Sequence, residues 1–271
     1  HKQVWNPDLV DIIMIRENTE GLYHSLLRRM EQRAIGKKDE PIVIEEFPGL
    51  DGEVAWDPRP ISREGSERVI RFAFDYAKHR QRKMGVSQSV TCVDKSNVTR
   101  GCQLFRKIFR EFAERNQDIM VKEAYIDAFT MWLVRNPEDL DVVVLPNMFG
   151  DIATDLASVL QGGMGMSASA NMGPKHMLFE PVHGSSPKHA GKNVVNPIAM
   201  IQSVQMMFEA LAFRKKDQNL DTCSEILQNA IQKHFEEGGI VTYDLGGTAS
   251  TSEVGQAIAV RCESMLKERF P

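Results

Sequence analysis

Short apolar runs alternate with amphipathic segments along this chain, and the alternation predicts its fold. Residues Leu9–Ile15 are almost continuously apolar, as expected of a strand that is covered on both faces. Three more runs predict further strands, at Val86–Val93, Met120–Ile126 and Asp141–Leu145. Strands that alternate with helices are typical of an α/β architecture.

Helical periodicity fills the intervals between these strands. Ser62 is a good N-cap for a helix that carries Val69 and Ala73 on one face. Asn196 followed by Pro197 is another helix start, because asparagine caps helices and proline suits the first turn. The spacing of apolar residues predicts further helices around 104–112, 223–235 and 252–267.

Two segments interrupt the alternation of strands and helices. Leu26–Pro60 is charged and rich in turn residues around a strand-like Ile42-Val43-Ile44, which favours a β-ribbon arm, with a surface loop as the alternative. Three glycines between 162 and 165 mark a domain crossing. We therefore predict two domains, 1–161 and 162–271.

Composition and charge narrow the class of protein. Of the 271 residues, 42% are hydrophobic and 26% charged, which is ordinary for a globular protein with a buried core. The formal net charge of −4 gives no general attraction to nucleic acid or to an anionic membrane. The four cysteines include no CxxC pair, which argues against a zinc ribbon or a disulfide scaffold and fits a reducing, cytoplasmic compartment. The start at His1 has neither an initiator Met nor a signal-peptide pattern. Because it leads almost at once into a strand-like run, we expect a fragment of a longer protein.

The sharpest local feature is the motif NMFGDIATD at 147–155, which follows the apolar run DVVVL and opens a helix. Asp151 and Asp155 are four residues apart, so both carboxylates project from one face of that helix. Such a pair suits a hard divalent ion such as Mg²⁺, and open sheets place ligands at the ends of buried strands. The alternative is structural, because helix N-termini favour acidic residues in any protein.

Three further side chains are candidates for chemistry. Arg16 follows the first apolar run, where an arginine suits bidentate capture of a substrate carboxylate. A salt bridge with Glu17 or Glu20 is the alternative. Tyr23 and Lys95 would serve as general acid and base only in a buried site beside a metal or another cation, and are otherwise surface residues.

The segment EPVHGSSPKHAGK at 180–192 is rich in glycine, serine and proline and runs toward Asn196. Such a loop can bring backbone amides to a phosphate and an adenosine group, although a structural loop has the same composition. The GxGxxG fingerprint is absent, because residues 163–168 read GMGMSA and lack the third glycine. The sequence therefore predicts a non-Rossmann fold.

The order of these motifs is more specific than any one of them. The chain carries RENTEGLY at 16–23, DKSNV at 94–98, YIDA at 125–128, then NMFGDIATD, EPVHGSSPKHAGK and finally DLGGTA at 244–249. In this order they resemble the metal-dependent, β-decarboxylating dehydrogenases of the isocitrate/isopropylmalate dehydrogenase family, over essentially all 271 residues. The resemblance implies that family's two-domain α/β fold. Residues 1–161 would then be a small dimerisation and catalytic domain with a dimer clasp at 26–60, and 162–271 the C-terminal part of the large, cofactor-binding domain.

The resemblance also implies a reaction, which is oxidation of the C2 hydroxyl of a 3-substituted malate by NAD or NADP, followed by loss of the β-carboxylate as CO₂. Arg16 would hold a substrate carboxylate, and Tyr23 would protonate the enolate. The partner subunit's Lys95 would help to remove the hydroxyl proton, so that a homodimer or a higher oligomer is needed. The implied ligands of Mg²⁺ or Mn²⁺ are Asp151, Asp155 and Asp127 of the partner subunit.

The implied cofactor-binding residues are Asn97, His183, Gly184, Lys188, His189 and Asn196. NAD-dependent members of the family usually carry an acidic residue where this chain has Lys188. A carboxylate there would accept hydrogen bonds from the ribose hydroxyls and repel a 2′-phosphate, whereas Lys188 and His189 would attract one. The sequence therefore favours NADP, with NAD as the alternative.

The identity of the substituted malate stays open at this point. Asp94-Lys95 and IDAF at 126–129 favour isopropylmalate-type chains, whereas RENTEGLY and Lys188 favour isocitrate or homoisocitrate types. Some members of the family are non-catalytic regulatory subunits of hetero-oligomers, and these tend to lose the lysine, the tyrosine or the aspartates. All five are present here, so an enzyme is the favoured interpretation and a regulatory subunit the alternative.

Overall fold

A computed structural model describes residues 5–23, 57–80 and 88–269 of the chain. By their contacts the residues form two compact units, His1–Leu156 and Ala157–Pro271. The predicted roles of residues 1–161 in dimerisation and catalysis, and of residues 162–271 in cofactor binding, stay predictions. The predicted arm lies outside the described residues up to position 56, so its fold also stays a prediction.

A four-stranded parallel sheet forms the centre of the first unit. Its strands lie in the order β1-β4-β2-β3 and are β1 (Ile13–Arg16), β2 (Ser89–Asp94), β3 (Met120–Tyr125) and β4 (Val142–Leu145). The described helices of this unit are α1 (Arg63–His79), α2 (Arg100–Arg115), α3 (Ile126–Arg135) and α4 (Asn147–Ser158). Because all pairs are parallel, the carboxyl ends of the four strands lie at one edge of the sheet.

The predicted α/β class is confirmed, and several strand bounds are corrected. β2 ends at Asp94 instead of Val93, and β4 begins at Val142 instead of Asp141. The first strand begins at Ile13 instead of Leu9, because Asn6 caps a 3-10 turn at Pro7–Leu9 by accepting a hydrogen bond from the Asp8 amide. The third strand was predicted to end at Ile126 but ends at Tyr125, because Ile126 is the first residue of α3.

One face of the sheet packs against α1 and α2. Ser62 caps α1 as predicted, since its Oγ accepts a hydrogen bond from the Gly65 amide at 3.0 Å. The core between these helices and the sheet is apolar, and its fully or almost fully buried members include Ile70, Ala73, Phe74, Val90, Ile108, Phe109, Val142 and Val144. The alternation along β2 and β4 places these valines on the helix-covered face.

The second unit combines a two-stranded antiparallel ribbon with helices. Its elements are β5 (Ala168–Met172), β6 (Met177–Pro181), α5 (Ile198–Lys215), α6 (Gln218–Glu236) and α7 (Thr251–Arg269). The two helices predicted at the end of the chain are therefore present as α6 and α7. The predicted start of α5 is one residue too early, because Pro197 occupies the cap position and Asn196 Oδ1 accepts from the Ile198 amide at 3.0 Å.

In the part of the chain that the structure describes, no helix is long and apolar enough to cross a membrane.

We expect Phe109→Ala to lower the free energy of unfolding by about 3–5 kcal/mol, because the Phe109 side chain is fully buried and its ring centre lies 5.6 Å from that of Phe74. Phe72→Ala is the matched control, since Phe72 lies on α1 but is 36% exposed, and it should cost much less. Denaturant unfolding of both variants measures the difference. Equal losses would contradict this assignment of the core.

Candidate active site

The carboxyl edge of the parallel sheet collects most of the side chains singled out in the sequence. Arg16 is the last residue of β1, Lys95 follows β2, Asp127 lies in the first turn of α3 after β3, and Asn147 begins α4 after β4. Parallel pairing alone brings these four positions to one edge, although they are far apart in the sequence. This edge is where open α/β sheets bind ligands.

Arg16 is fixed by two residues of α4. Its Nη1 donates to Asp151 Oδ1 at 2.6 Å, while its Nε and Nη2 donate to Asn147 Oδ1 at 3.2 and 2.7 Å. Asn147 Nδ2 in turn donates to the Glu20 carbonyl at 2.8 Å. Glu17, one of the alternative partners considered for Arg16, instead accepts a hydrogen bond from Arg68 at 3.1 Å.

Helix α4 approaches Arg16 so closely that one position on it must be glycine. A Cβ on Gly150 would lie 2.5 Å from Arg16 Cγ and 2.7 Å from Arg16 Cβ, which is well inside van der Waals contact. The glycine of the motif NMFGDIATD therefore lets the guanidinium reach Asp151.

Tyr23 contacts the same aspartate from the other side. Its hydroxyl donates to Asp151 Oδ2 at 2.6 Å, and the Arg16 guanidinium lies 5.3 Å from the centre of its ring. The hydrogen bond to Asp151 raises the pKa of the Tyr23 phenol above its ordinary value, with smaller contributions from burial and from the charge of that carboxylate. The phenol therefore holds its proton at neutral pH, as a proton donor must.

Lys95 and Asp127 form a second pair at the same edge of the sheet. Lys95 Nζ lies 2.6 Å from Asp127 Oδ1, and the Asp127 side chain is 67% exposed. The hydrogen bond from Lys95 holds the pKa of the Asp127 carboxyl below its usual value. Asn97, two residues after Lys95, is exposed in the turn that leads to α2.

The three predicted metal ligands do not meet within one copy of the described chain. Asp151 contacts Arg16 and Tyr23, whereas Asp127 contacts Lys95. Among the described residues, no three His, Cys, Asp or Glu side chains are grouped so that they could hold a metal ion. Asp151 and Asp155 nevertheless lie one turn apart on α4 and offer carboxylate oxygens, the donors that suit Mg²⁺ and Mn²⁺.

The predicted adenosine loop lies in the second unit, between β6 and α5. Lys188 is exposed, and the His189 ring stacks on the Tyr243 ring with 6.1 Å between centres, while Ser186 Oγ lies 2.7 Å from His189 Nδ1. Gly184 borders open space, since a Cβ there would meet nothing within 4 Å. His183 Nδ1 lies 2.9 Å from the Gly184 carbonyl oxygen.

Asn196 differs from the rest of this loop region because it is buried. Its Nδ2 donates to Asp244 Oδ2 at 3.1 Å, and its Oδ1 accepts from the Ile198 amide. These contacts tie the start of α5 to the 3-10 turn at Tyr243–Leu245. The role of Asn196 in cofactor binding stays a prediction.

Sequence reasoning missed two residues that support the site. Asn147, the first residue of NMFGDIATD, had no assigned role although it contacts Arg16. Arg106 was also missed. Its position could have indicated a buried charge, because it lies on the apolar face of α2, next to Phe105 and close to Phe109. A charge at such a position needs a buried partner, which here is Asp94.

Comparison with known proteins agrees with the order of motifs. A family model described as isocitrate/isopropylmalate dehydrogenase matches residues 2–258. A 3-isopropylmalate/3-methylmalate dehydrogenase from Methanocaldococcus jannaschii is 39% identical over 256 residues, covering 94% of this chain and 68% of that protein. Homoisocitrate dehydrogenase from the same organism is 38% identical over 263 residues, which cover 97% of this chain and 66% of that protein. The crystal structure of isocitrate dehydrogenase from Methylococcus capsulatus matches with a TM-score of 0.75 at 35% identity. The match covers 93% of this chain and 67% of that one. This chain thus spans about two thirds of the length of these relatives.

We expect Asp151→Asn to lower the pKa of the Tyr23 phenol toward its ordinary value, because a neutral amide no longer stabilises the protonated phenol. Asp118→Asn is the control, since Asp118 is an exposed aspartate in the turn before β3 and should leave the Tyr23 pKa unchanged. Ultraviolet titration of tyrosinate measures the shift, and the Tyr23→Phe variant identifies which transition belongs to Tyr23. A Tyr23 titration that is the same in the wild type and in Asp151→Asn would contradict the proximity of these two groups.

Proposed function

Because the chain belongs to the isocitrate/isopropylmalate dehydrogenase family, we propose that the protein oxidises and decarboxylates a 3-substituted malate with NADP and with Mg²⁺ or Mn²⁺. The membership confirms the α/β fold and the class of decarboxylating oxidoreductase that the sequence predicted. The observation that carries the proposal is the convergence of Arg16 and Tyr23 on Asp151 at the carboxyl edge of the sheet.

Arg16 is proposed to bind a carboxylate of the substrate. A guanidinium has five N–H groups, and the bonds to Asn147 and Asp151 engage three of them. Among the hydrogen bonds of the described residues, the two others are left for a carboxylate, and Asn147 holds the planar group in a fixed orientation. This preorganisation suits the charge-assisted, two-point capture for which arginine is better than lysine.

Asp151 and Asp155 are proposed as two ligands of the divalent ion, with Asp127 of the partner subunit as the third. The proposal of a second copy is supported by the separation of Asp127 and Asp151, which contact different partners within one chain. When bound, the ion would polarise the C2 hydroxyl and stabilise the negative charge of the enolate.

Two groups are proposed to move protons. The partner subunit's Lys95, as the neutral amine favoured beside a divalent ion, would take the proton of the C2 hydroxyl. A bound nicotinamide would supply the hydride acceptor. After CO₂ departs, Tyr23 gives its proton to the enolate carbon. Tyr23 suits this role because a phenol carries its proton at neutral pH, and its hydroxyl lies 2.6 Å from Asp151, one of the proposed metal ligands.

We propose a homodimer or a higher oligomer with shared active sites for this protein. Lys95 and Asp127 contact each other at 2.6 Å, so both would reach the partner's Arg16 and Asp151 as one unit. The predicted cytoplasmic location stays a prediction.

An absorbance assay of nicotinamide reduction tests the function. Protein expressed from its complete gene is assayed with Mg²⁺ or Mn²⁺ and with NADP or NAD against isopropylmalate, isocitrate, homoisocitrate, D-malate and tartrate. We expect one substrate to turn over and a chelator to abolish the activity. Asp151→Asn should lower kcat/KM by about 10³-fold, the loss expected when several kcal/mol of charge stabilisation are removed.

The matched control for this assay is Asp118→Asn. Asp118 is an exposed aspartate in the turn before β3, at the amino edge of the sheet, so its loss should leave the activity unchanged. A folded, oligomeric protein that is silent with every substrate would contradict the proposal and favour a regulatory subunit.

We propose that the adenosine loop selects NADP through Lys188 and His189. Lys188→Asp should raise the KM for NADP by roughly tenfold or more, because a charge-assisted hydrogen bond to the 2′-phosphate is replaced by repulsion, while the KM for NAD stays the same or falls. Lys192→Asp makes the same charge change in the same loop and should affect NADP less. Unchanged kinetics with NADP in Lys188→Asp would contradict this specificity.

A further inference from the structure

A buried carboxylate stands directly before Lys95. Asp94 is the last residue of β2 and is fully buried. Its Oδ1 accepts hydrogen bonds from the Ser96 amide at 2.7 Å and from Arg106 Nη2 at 3.0 Å, and its Oδ2 accepts from Arg106 Nε at 2.8 Å. A buried charge is costly unless it is paired and hydrogen-bonded, and Arg106 meets both conditions for Asp94.

The same arginine holds the end of the neighbouring strand. Arg106 Nη2 also donates to the Ala124 carbonyl at 2.8 Å, and the guanidinium lies 4.9 Å from the centre of the Tyr125 ring. Since Asp94 is paired with Tyr125 across β2 and β3, one planar group joins the carboxyl ends of both strands.

Those two strand ends carry the second pair of the candidate site. Lys95 directly follows β2, and Asp127 lies two residues beyond the end of β3. In the described sheet β3 is an edge strand that pairs only with β2, and Arg106 adds a side-chain link to its carboxyl end. Tyr125, the cap residue of α3, makes no side-chain hydrogen bond to the first turn of that helix.

We propose that the Asp94–Arg106 pair is a positioning device that keeps Lys95 and Asp127 together at 2.6 Å, so that both reach the partner subunit's substrate as one unit. The proposal rests on the function proposed above for Lys95 and Asp127. Arg106 is a positioning residue without contact to the substrate, because its side chain is only 10% exposed and its donors face Asp94, Glu123 and Ala124.

The chain contains a matched control for this inference. Arg110 lies one turn further along α2 and also makes two hydrogen bonds to a carboxylate, with Glu123 Oε1 at 2.6 Å and Oε2 at 2.7 Å. It is 63% exposed, and its two hydrogen bonds reach the Glu123 side chain of β3 instead of the strand's carboxyl end. The two arginines therefore share residue type, helix and neighbouring strand, and differ in their contact with Asp94 and Ala124.

The test compares Arg106→Lys with Arg110→Lys in the complete protein. Lysine keeps the charge beside Asp94 but cannot hold both Asp94 oxygens and the Ala124 carbonyl from one plane. We expect kcat of Arg106→Lys to fall by about 10²-fold, the effect of a displacement of roughly 1 Å at a reacting group. The KM for the hydroxy acid should change little, because Arg16 is untouched. Arg110→Lys should behave as the wild type in both constants.

Crystal structures of the two variants give a readout that does not depend on activity. The Lys95 Nζ–Asp127 Oδ1 contact should be lost in Arg106→Lys and kept in Arg110→Lys. If Arg106→Lys fails to fold, Asp94→Asn, which keeps the shape of the side chain, should give the same loss of kcat and of the contact.

Two outcomes would overturn the inference. One is an active wild type in which Arg106→Lys and Arg110→Lys have the same kinetics, and this would leave the proposed function intact. The other is an unchanged Lys95–Asp127 contact in the crystal structure of Arg106→Lys. A wild type that is silent across the substrate panel contradicts the proposed function instead, and the crystallographic comparison then still decides the positioning role.

Discussion

Parallel strand pairing is the constraint on which the candidate site depends. Hydrogen bonds between β1, β4, β2 and β3 align all four strands in one direction, so that residues separated by more than a hundred positions end at one edge. Burial of apolar residues of β2 and β4 under α1 and α2 stabilises that alignment. The polar residues that follow the strands can then be reactive, because they contribute little to the core.

Charge pairing organises this edge at two depths. Asp94 and Arg106 form a buried pair that is inaccessible to ligands, whereas Arg16–Asp151 and Lys95–Asp127 are partly exposed. Removing one partner of a buried ion pair strongly destabilises the folded protein, because the other charge is left buried and unpaired. Exposed pairs are weaker and can exchange partners. In the proposed function, the buried pair would provide rigidity and the partly exposed pairs would provide the chemistry.

The sequence predicted most of the fold because its signals were local. The run DVVVL became β4, Ser62 became the cap of α1, and the spacing of Asp151 and Asp155 placed both on one helix. The predicted start of β1 was wrong, because Asn6 caps a 3-10 turn at Pro7–Leu9 and this turn includes the first residue of the apolar run. The start of α5 was misplaced by one residue for a similar reason, since Pro197 sits outside the helix.

The contacts of the site could not be predicted in the same way. Gly150 has an ordinary place in a helix by sequence, and only the distance to Arg16 explains it. Arg106 is tied to Asp94 across twelve positions, and to Ala124 across eighteen, through the packing of α2 on the sheet. Such partners depend on which helix lies over which strand, and periodicity does not specify that.

The contact between Arg16 and Asp151 has a thermodynamic consequence for ligand capture. In the free protein each of these groups already neutralises the other, so an incoming anion does not meet a bare cation. An anion that binds the two other N–H groups of Arg16 would add to an ion pair that is already formed, and the negative charge of Asp151 would weaken its attraction. The Arg16–Asp151 pair thus fixes the orientation of the guanidinium and at the same time reduces its net positive charge.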